Sequence, residues 1–203
     1  MKIAITGSGN ISEEILALAL AEDGVKLTEV ERVVMRAQDL VAAFKNKAID
    51  GGIQNEPSRS MSVRDGLAVI FREAKDLLPE NYPIRLAMFS YKFATEKTEA
   101  AKRYQVAMQR AARDYADAFW HNKPNKPEIT KILTDLTKRS VEELEQMGAE
   151  PLSVDGAVNI KAIEGDQEFY IGAGYLKERV DVAKWVDMTF VNYAIERLGK
   201  YQP

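Results

Sequence analysis

The stretch Lys2-Ile3-Ala4-Ile5-Thr6-Gly7-Ser8-Gly9-Asn10 decides the fold that this sequence predicts. Residues 2–6 are mostly β-branched and predict a short strand, whereas the glycines of residues 7–10 predict a tight turn. Residues 11–22 follow with apolar side chains at helical spacing, so a helix begins directly after the turn. This order of strand, turn and helix predicts the first half of a βαβ unit.

Strand and helix signals continue to alternate over the first ninety residues. A helix is predicted at 38–47, and further strands are predicted at 31–36, 48–54, 67–71 and 84–91. Strands that alternate with helices of about ten residues over short connections are typical of a parallel sheet covered on both faces. The first half of the chain therefore predicts an α/β fold.

The second half predicts helices almost alone, at 95–121, 126–137, 140–147, 159–173 and 189–198. The longest of them carries an apolar stripe at steps of three and four residues, which is typical of a helix face that packs on a core. Its members are Ala100, Tyr104, Ala107, Met108, Ala111, Tyr115, Ala118 and Phe119. Because this half contains hardly any strand, the helices pack on one another or cover a sheet that comes from elsewhere.

Composition excludes several classes of protein. The chain has no cysteine, one histidine (His121) and a net charge of −3, so thiolate chemistry, multi-histidine metal sites and electrostatic binding to nucleic acid are not expected. No apolar run approaches the roughly 20 residues of a membrane span. The first residues lead straight into the predicted strand and do not resemble a secretion signal.

Ser8, Gly9 and Asn10 lie where a strand meets a helix N-terminus, a place that favours anions. The turn is not a dinucleotide fingerprint, because the third glycine would fall at Ser12, and it lacks the Gly-Lys of a P-loop. The plain alternative is a structural turn that Asn10 caps. Both readings stay open from the sequence.

Asn55 and Glu56 directly follow the third predicted strand. Ligands of open parallel sheets bind beyond the carboxyl ends of the strands, so these side chains are expected at the same edge as the turn at 7–10. Together they would suit a solute with both acidic and donor groups. The alternative is a proline-directed turn with a solvated carboxylate. No catalytic residue, metal site or cofactor site is predicted.

The order of several segments resembles one family, the solute-binding proteins of ABC importers of the nitrate, sulfonate, taurine and thiamine-precursor group. The resemblance is carried by 2–9, 39–44, 49–57, 91–94, 111–119, 155–160, 166–170, 180–182 and 186–191. It extends over nearly the whole chain, in order, although no single segment is diagnostic.

The resemblance implies a periplasmic-binding-protein-like α/β fold with one complete parallel or mixed-sheet lobe and the C-terminal helices of the other. Residues 1–85 would form the second lobe, and residues 86–203 the hinge crossing and the helical remainder of the first. We then expect a chain truncated at its N-terminus, which lacks the signal peptide and the opening βαβ segment. We also expect it to cover the apolar helical stripe by homodimerisation.

The same resemblance implies a non-enzymatic protein of the periplasm or cell surface that delivers a small solute to an ABC permease. The solute would be anionic or heterocyclic, such as nitrate, a sulfonate, taurine or a pyrimidine. Its ligand-binding residues would be Ser8, Gly9, Asn10, Asn55 and Glu56. The rival hypothesis is a cytoplasmic α/β enzyme with a phosphate- or nucleotide-binding turn. A helical scaffold protein would be favoured only if the first ninety residues formed no parallel sheet.

Overall fold

A three-stranded parallel sheet lies at the N-terminal end of the chain, in a computed structural model that describes residues 1–203. Its strands are β1 (Lys2–Ile5), β2 (Glu31–Val34) and β3 (Gly51–Gly52), in the order β2-β1-β3. Lys2 pairs with Glu31 and Ile3 pairs with Gly51. The predicted α/β class with a parallel sheet is therefore confirmed.

Ten helices make up most of the remaining structure. They are α1 (Ile11–Glu22), α2 (Leu40–Lys45), α3 (Ser58–Arg64), α4 (Ala74–Leu77), α5 (Tyr91–Glu96), α6 (Thr98–Phe119), α7 (Lys126–Thr137), α8 (Val141–Gln146), α9 (Ile160–Gly172) and α10 (Thr189–Leu198). Short 3₁₀ turns lie at Leu27–Glu29, Ala37–Asp39 and Val182–Lys184. No helix combines the length and the apolar character that crossing a bilayer requires.

The chain forms two compact units, each made of two pieces. The first unit is Met1–Tyr82 with Gly165–Arg179, and the second is Pro83–Glu164 with Val180–Pro203. The predicted division at residue 85 lies close to the first crossing between the units, although it does not include the return of residues 165–179 to the first unit. The assignment of these parts to lobes of a binding protein remains a prediction.

The core of the first unit lies on both faces of β1, because successive side chains of a strand point to opposite sides. Ile3 and Ile5 pack with Leu16 of α1 on one face. Ala4 packs with Leu40 of α2 and with Ile49 on the other. Burial of this kind contributes roughly 25 cal/mol for each Å² of apolar surface removed from water. The central strand is thereby fixed between helices.

The predicted strand at 48–54 pairs with its neighbour only at Gly51 and Gly52. A Cβ atom on Gly51 would lie 2.8 Å from Ile3 Cδ1, and one on Gly52 would lie 3.1 Å from Leu40 Cδ2. These glycines therefore permit β3 to approach β1 and α2 closely. The same residues that weaken the strand signal in the sequence are required for its packing.

In the second unit, α6 packs against α7 and α10, and its buried side includes a polar network. Gln109 is almost fully buried and donates to the carbonyl of Ser153 at 3.1 Å. Arg113 forms an ion pair with Asp155 at 2.6 Å. These bonds tie the loop before α9 to the middle of α6.

Two of the predicted strands, at 67–71 and 84–91, are wrong. Neither stretch joins the sheet, because a strand needs a partner for its backbone N–H and C=O groups and the sheet contains only β1, β2 and β3. Several of their apolar side chains are exposed, with Val69 and Met88 each 89% exposed. Phe89 is the main exception, since its ring packs against that of Phe190. The apolar composition of the two stretches predicted extended backbone without revealing that a pairing strand is missing.

The apolar stripe of α6 is largely uncovered within the chain. Tyr104 and Met108 are 48% and 44% exposed, and Ala107 and Ala111 are exposed as well, whereas Ala118 is buried. The helix instead buries the side that carries Gln109 and Ala116. Polar bonds to the loop at 153–155 hold that side inward, and an apolar pattern alone could not predict them.

The exposed stripe of α6 is the basis for the expected homodimer, which remains a prediction. Static light scattering should give a mass of about twice the 22.8 kDa of one chain. Met108→Glu should shift the protein toward the monomer, because it places a charge on the apolar stripe. Arg110→Glu introduces the same side chain on another side of α6 and should leave the mass unchanged. A wild-type chain that is monomeric at every concentration would refute self-association.

Candidate functional site

The loops that follow β1 and β3 lie at one edge of the sheet, because the two strands are parallel neighbours. The N–H of Ile53 donates to the carbonyl of Ala4 at 2.9 Å, which continues the pairing up to this edge. The loop after β2 ends at the same edge, and Ser58 Oγ donates to the carbonyl of Ala37 at 3.0 Å. The carboxyl edge of the sheet is thus formed by three loops, two of them bonded to each other.

Hydrogen bonds within the β1–α1 turn give it a fixed shape. Asn10 caps α1 by accepting from the N–H of Ser12 at 3.0 Å, which agrees with the structural alternative for this turn. Its amide also donates to Thr6 Oγ1 at 3.2 Å, and Ser12 Oγ accepts from the N–H of Thr6 at 2.9 Å. Ser8 lies at the tip of the turn, exposed, and its hydroxyl forms no hydrogen bond within the protein.

The carboxylate of Glu13 lies behind this turn and is 0% exposed. It accepts from the N–H of Gly9 at 2.7 Å and from Tyr175 Oη at 2.9 Å, and it forms an ion pair with Arg32 of β2. Burial alone would raise the pKa of Glu13, but these hydrogen bonds and the Arg32 charge outweigh it and hold the pKa below its usual value. The helix N-terminus therefore already faces an anion that the protein itself supplies.

Tyr175 forms one side of the same turn. Gly9 has a φ of +67°, and a Cβ atom on it would lie 3.0 Å from Tyr175 Cδ1. The left-handed backbone and this close approach both require glycine. The Tyr175 side chain is half-exposed, so its ring is also accessible from solvent at the edge of the sheet.

In the β3–α3 loop, the side chain of Glu56 is hydrogen-bonded within the protein, whereas that of Asn55 is not. Asn55 is exposed, and its side-chain amide forms no hydrogen bond within the protein. Glu56 accepts from Arg59 Nε at 2.6 Å and from the N–H of Ser60 at 3.2 Å. Arg59 in turn binds Glu73 at 3.0 Å. Glu56 is therefore held by α3, whereas Asn55 is free to contact a solute.

The structure brings the five predicted ligand-binding residues to one edge of the sheet, but only some of them have polar groups available to a solute. Ser8 and Asn55 present unengaged polar groups, whereas Gly9, Asn10 and Glu56 are bonded within the protein. No group of three or more His, Cys, Asp or Glu side chains is placed to hold a metal ion.

Sequence reasoning missed Glu13 and Tyr175. A signal for Glu13 was present, since Asn10-x-x-Glu13 has the spacing of a capping box. Here Glu13 reaches back to the N–H of Gly9, one residue before the capping residue. Tyr175 had no local signal, because its sequence separation from Glu13 is 162.

Gly9→Ala should destabilise the protein more than Gly24→Ala, a matched control. Both positions have a positive φ, which costs an alanine about 1 kcal/mol, but nothing lies within 4 Å of a Cβ at Gly24. We expect about 1 kcal/mol of additional loss at Gly9, measured by urea unfolding, because the methyl group meets Tyr175. Adding Tyr175→Ala should remove that excess. Equal losses in the free energy of unfolding for the two variants would show that the contact with Tyr175 does not affect stability.

Comparison with known proteins places this geometry in a family. The sequence profile of the NMT1-like family matches residues 1–134, which include all three strands and both loops of the candidate site. Among curated proteins, no match to this sequence was found.

Two solved structures share the fold. The alkanesulfonate-binding protein SsuA from Xanthomonas axonopodis pv. citri, bound to MOPS, is 19% identical with a TM-score of 0.63, over 90% of this chain and 61% of that one. The periplasmic aliphatic sulphonate binding protein SsuA from Escherichia coli is 16% identical with a TM-score of 0.66, over 94% of this chain and 63% of that one. This chain thus spans less than two thirds of the length of either SsuA protein.

Both structural relatives are named as binding proteins, and both have the fold that the sequence predicted. The profile match covers well over half of the chain. The family resemblance inferred from the order of segments is therefore confirmed, and the chain belongs to the NMT1-like family.

Proposed function

We propose that this chain is the substrate-binding component of an ABC-type importer and that its solute contacts the carboxyl edge of the sheet. The observation that carries the proposal is the parallel pairing of β1 with β3, which places Ser8 and Asn55 at one edge with their polar groups unengaged. In open parallel sheets this edge is where ligands bind. The binding-protein fold of the two SsuA structures supports it.

The partner would be an ABC permease, and the location would be the periplasm or the cell surface. These assignments follow from family membership and from the periplasmic relative from Escherichia coli. Residues 1–85 would act as the second lobe of the binding protein. The proposed contacts with solute all lie within these residues.

We expect a neutral heterocyclic solute to bind better than a bare anion such as nitrate or a sulfonate. The reason is the buried carboxylate of Glu13, which accepts the N–H of Gly9 and offsets the positive end of α1. A heterocycle with donors and acceptors could hydrogen-bond to Ser8 and Asn55. The half-exposed ring of Tyr175 offers an aromatic face beside them.

The rival hypothesis of a phosphate- or nucleotide-binding enzyme is not favoured. That hypothesis requires the turn at 7–10 to hold a phosphate with free N–H groups. The N–H of Gly9 donates to Glu13, so a phosphate at this position would have to displace a buried carboxylate and would meet its charge.

Isothermal titration calorimetry with an aminopyrimidine, taurine and an alkanesulfonate tests the proposal. We expect the aminopyrimidine to bind most tightly. Asn55→Ala should weaken binding about tenfold, since a hydrogen bond is lost at a cost of about 1.4 kcal/mol. Ser8→Ala should have a similar effect.

Asn46→Ala is the matched control, because Asn46 is exposed and lies between α2 and β3, at the opposite edge of the sheet. It should bind the solute like the wild type. Tightest binding of the alkanesulfonate would overturn the preference for a heterocycle. Absence of binding by all three compounds, or equal losses in Asn46→Ala and Asn55→Ala, would overturn the site.

A further inference from the structure

Residues 165–179 return to the first unit as a separate piece of chain, and polar side chains attach them to α1. Tyr82 Oη donates to Asp166 Oδ2 at 2.5 Å. On α1, Glu14 hydrogen-bonds to Asp166 and to Tyr170 of α9. The attachment of this piece therefore centres on a pair of carboxyl groups, Glu14 and Asp166, which we call the carboxyl pair.

The carboxyl pair requires a proton. Two ionised carboxylates are both acceptors, so Glu14 and Asp166 can hydrogen-bond only if one of them is protonated. Glu14 is 5% exposed, and its Oε2 is buried without a hydrogen-bond partner. A charge on that oxygen would be left without solvent or a donor, which is costly.

No cation compensates the carboxyl pair. Apart from each other, the groups that act on Glu14 and Asp166 are the phenols of Tyr170 and Tyr82. Arg32 is engaged by the neighbouring Glu13. The side chains of α4, which packs on α1, contribute no charge to either carboxyl. Burial first, and then the charge of Asp166, raise the pKa of Glu14 to about 7, and burial also raises the pKa of Asp166.

We propose that the proton shared by Glu14 and Asp166 fastens residues 165–179 to α1, and that this segment loosens as the pH rises toward neutrality. Tyr175 lies on the segment and packs on Gly9, so the same proton controls how firmly one side of the candidate site is closed. The device needs no ligand and is independent of the proposed transport function.

The direction of the effect follows from proton linkage. In the detached state Glu14 ionises near its ordinary value of 4.5, whereas in the attached state its pKa is about 7. The attached state therefore binds more protons between these two values, and attachment weakens as the pH rises through that window. Above it both states are ionised, and attachment becomes independent of pH.

Hydrogen–deuterium exchange of the full chain tests the proposal, with rates corrected for the intrinsic effect of pH. In the wild type, the protection of amides in residues 165–179 should fall about 70-fold between pH 5 and pH 8, as one linked proton requires. Glu14→Gln should reduce that change to less than fivefold, because an amide cannot ionise. Glu22→Gln, at the exposed end of α1, should retain the wild-type change.

Wild-type protection that changes less than fivefold, or a Glu14→Gln variant that keeps the full change, would overturn the proposal. If Glu14→Gln does not fold, Asp166→Asn should reduce the pH-dependent change without abolishing it, because its amide can donate to ionised Glu14 while burial still raises the pKa of Glu14. The wild-type measurement stands by itself if neither variant folds. Because no solute is present, this result is separate from the test of solute binding.

Discussion

A single buried carboxylate, that of Glu13, holds the candidate site together. It binds the N–H of Gly9 in the first turn, the charge of Arg32 on the edge strand and the hydroxyl of Tyr175. A buried charge is tolerated only when it is paired and hydrogen-bonded, so these three parts of the first unit are constrained jointly. The same charge also alters what the site can bind, because it offsets the positive end of α1. This is the basis of our proposal that the solute hydrogen-bonds to Ser8 and Asn55 and is not held as an anion.

Much of the first unit was predictable because its signals are local. The strand at 2–6 and the helix at 11–22 were confirmed nearly to the residue, since β-branched runs, glycine turns and helical periodicity act within a few residues. The strand predictions at 67–71 and 84–91 were wrong because a strand forms only with a partner elsewhere in the chain. The side of α6 that is buried within the chain was not predicted for a related reason, because hydrogen bonds to a distant loop hold Gln109 inward.

The placement of the candidate loops at one edge of the sheet was predictable, but their hydrogen bonds were not. Parallel strands bring their carboxyl ends together, so the edge that holds Ser8 and Asn55 followed from element order alone. The engagement of Glu56 by Arg59 and of Gly9 by Glu13 did not follow, since it depends on side-chain geometry. Tyr175 reaches the turn from a segment that returns to this unit after more than eighty residues in the other. No local pattern carries such information.

The central claim is that the carboxyl edge of the sheet contacts the solute. Heteronuclear NMR of the labelled chain, titrated with an aminopyrimidine, tests this most directly because each backbone amide reports separately. Our account predicts chemical-shift changes concentrated at residues 6–10 and 53–58 and at Tyr175. Changes concentrated in residues 83–164, or none at saturating solute, would contradict it.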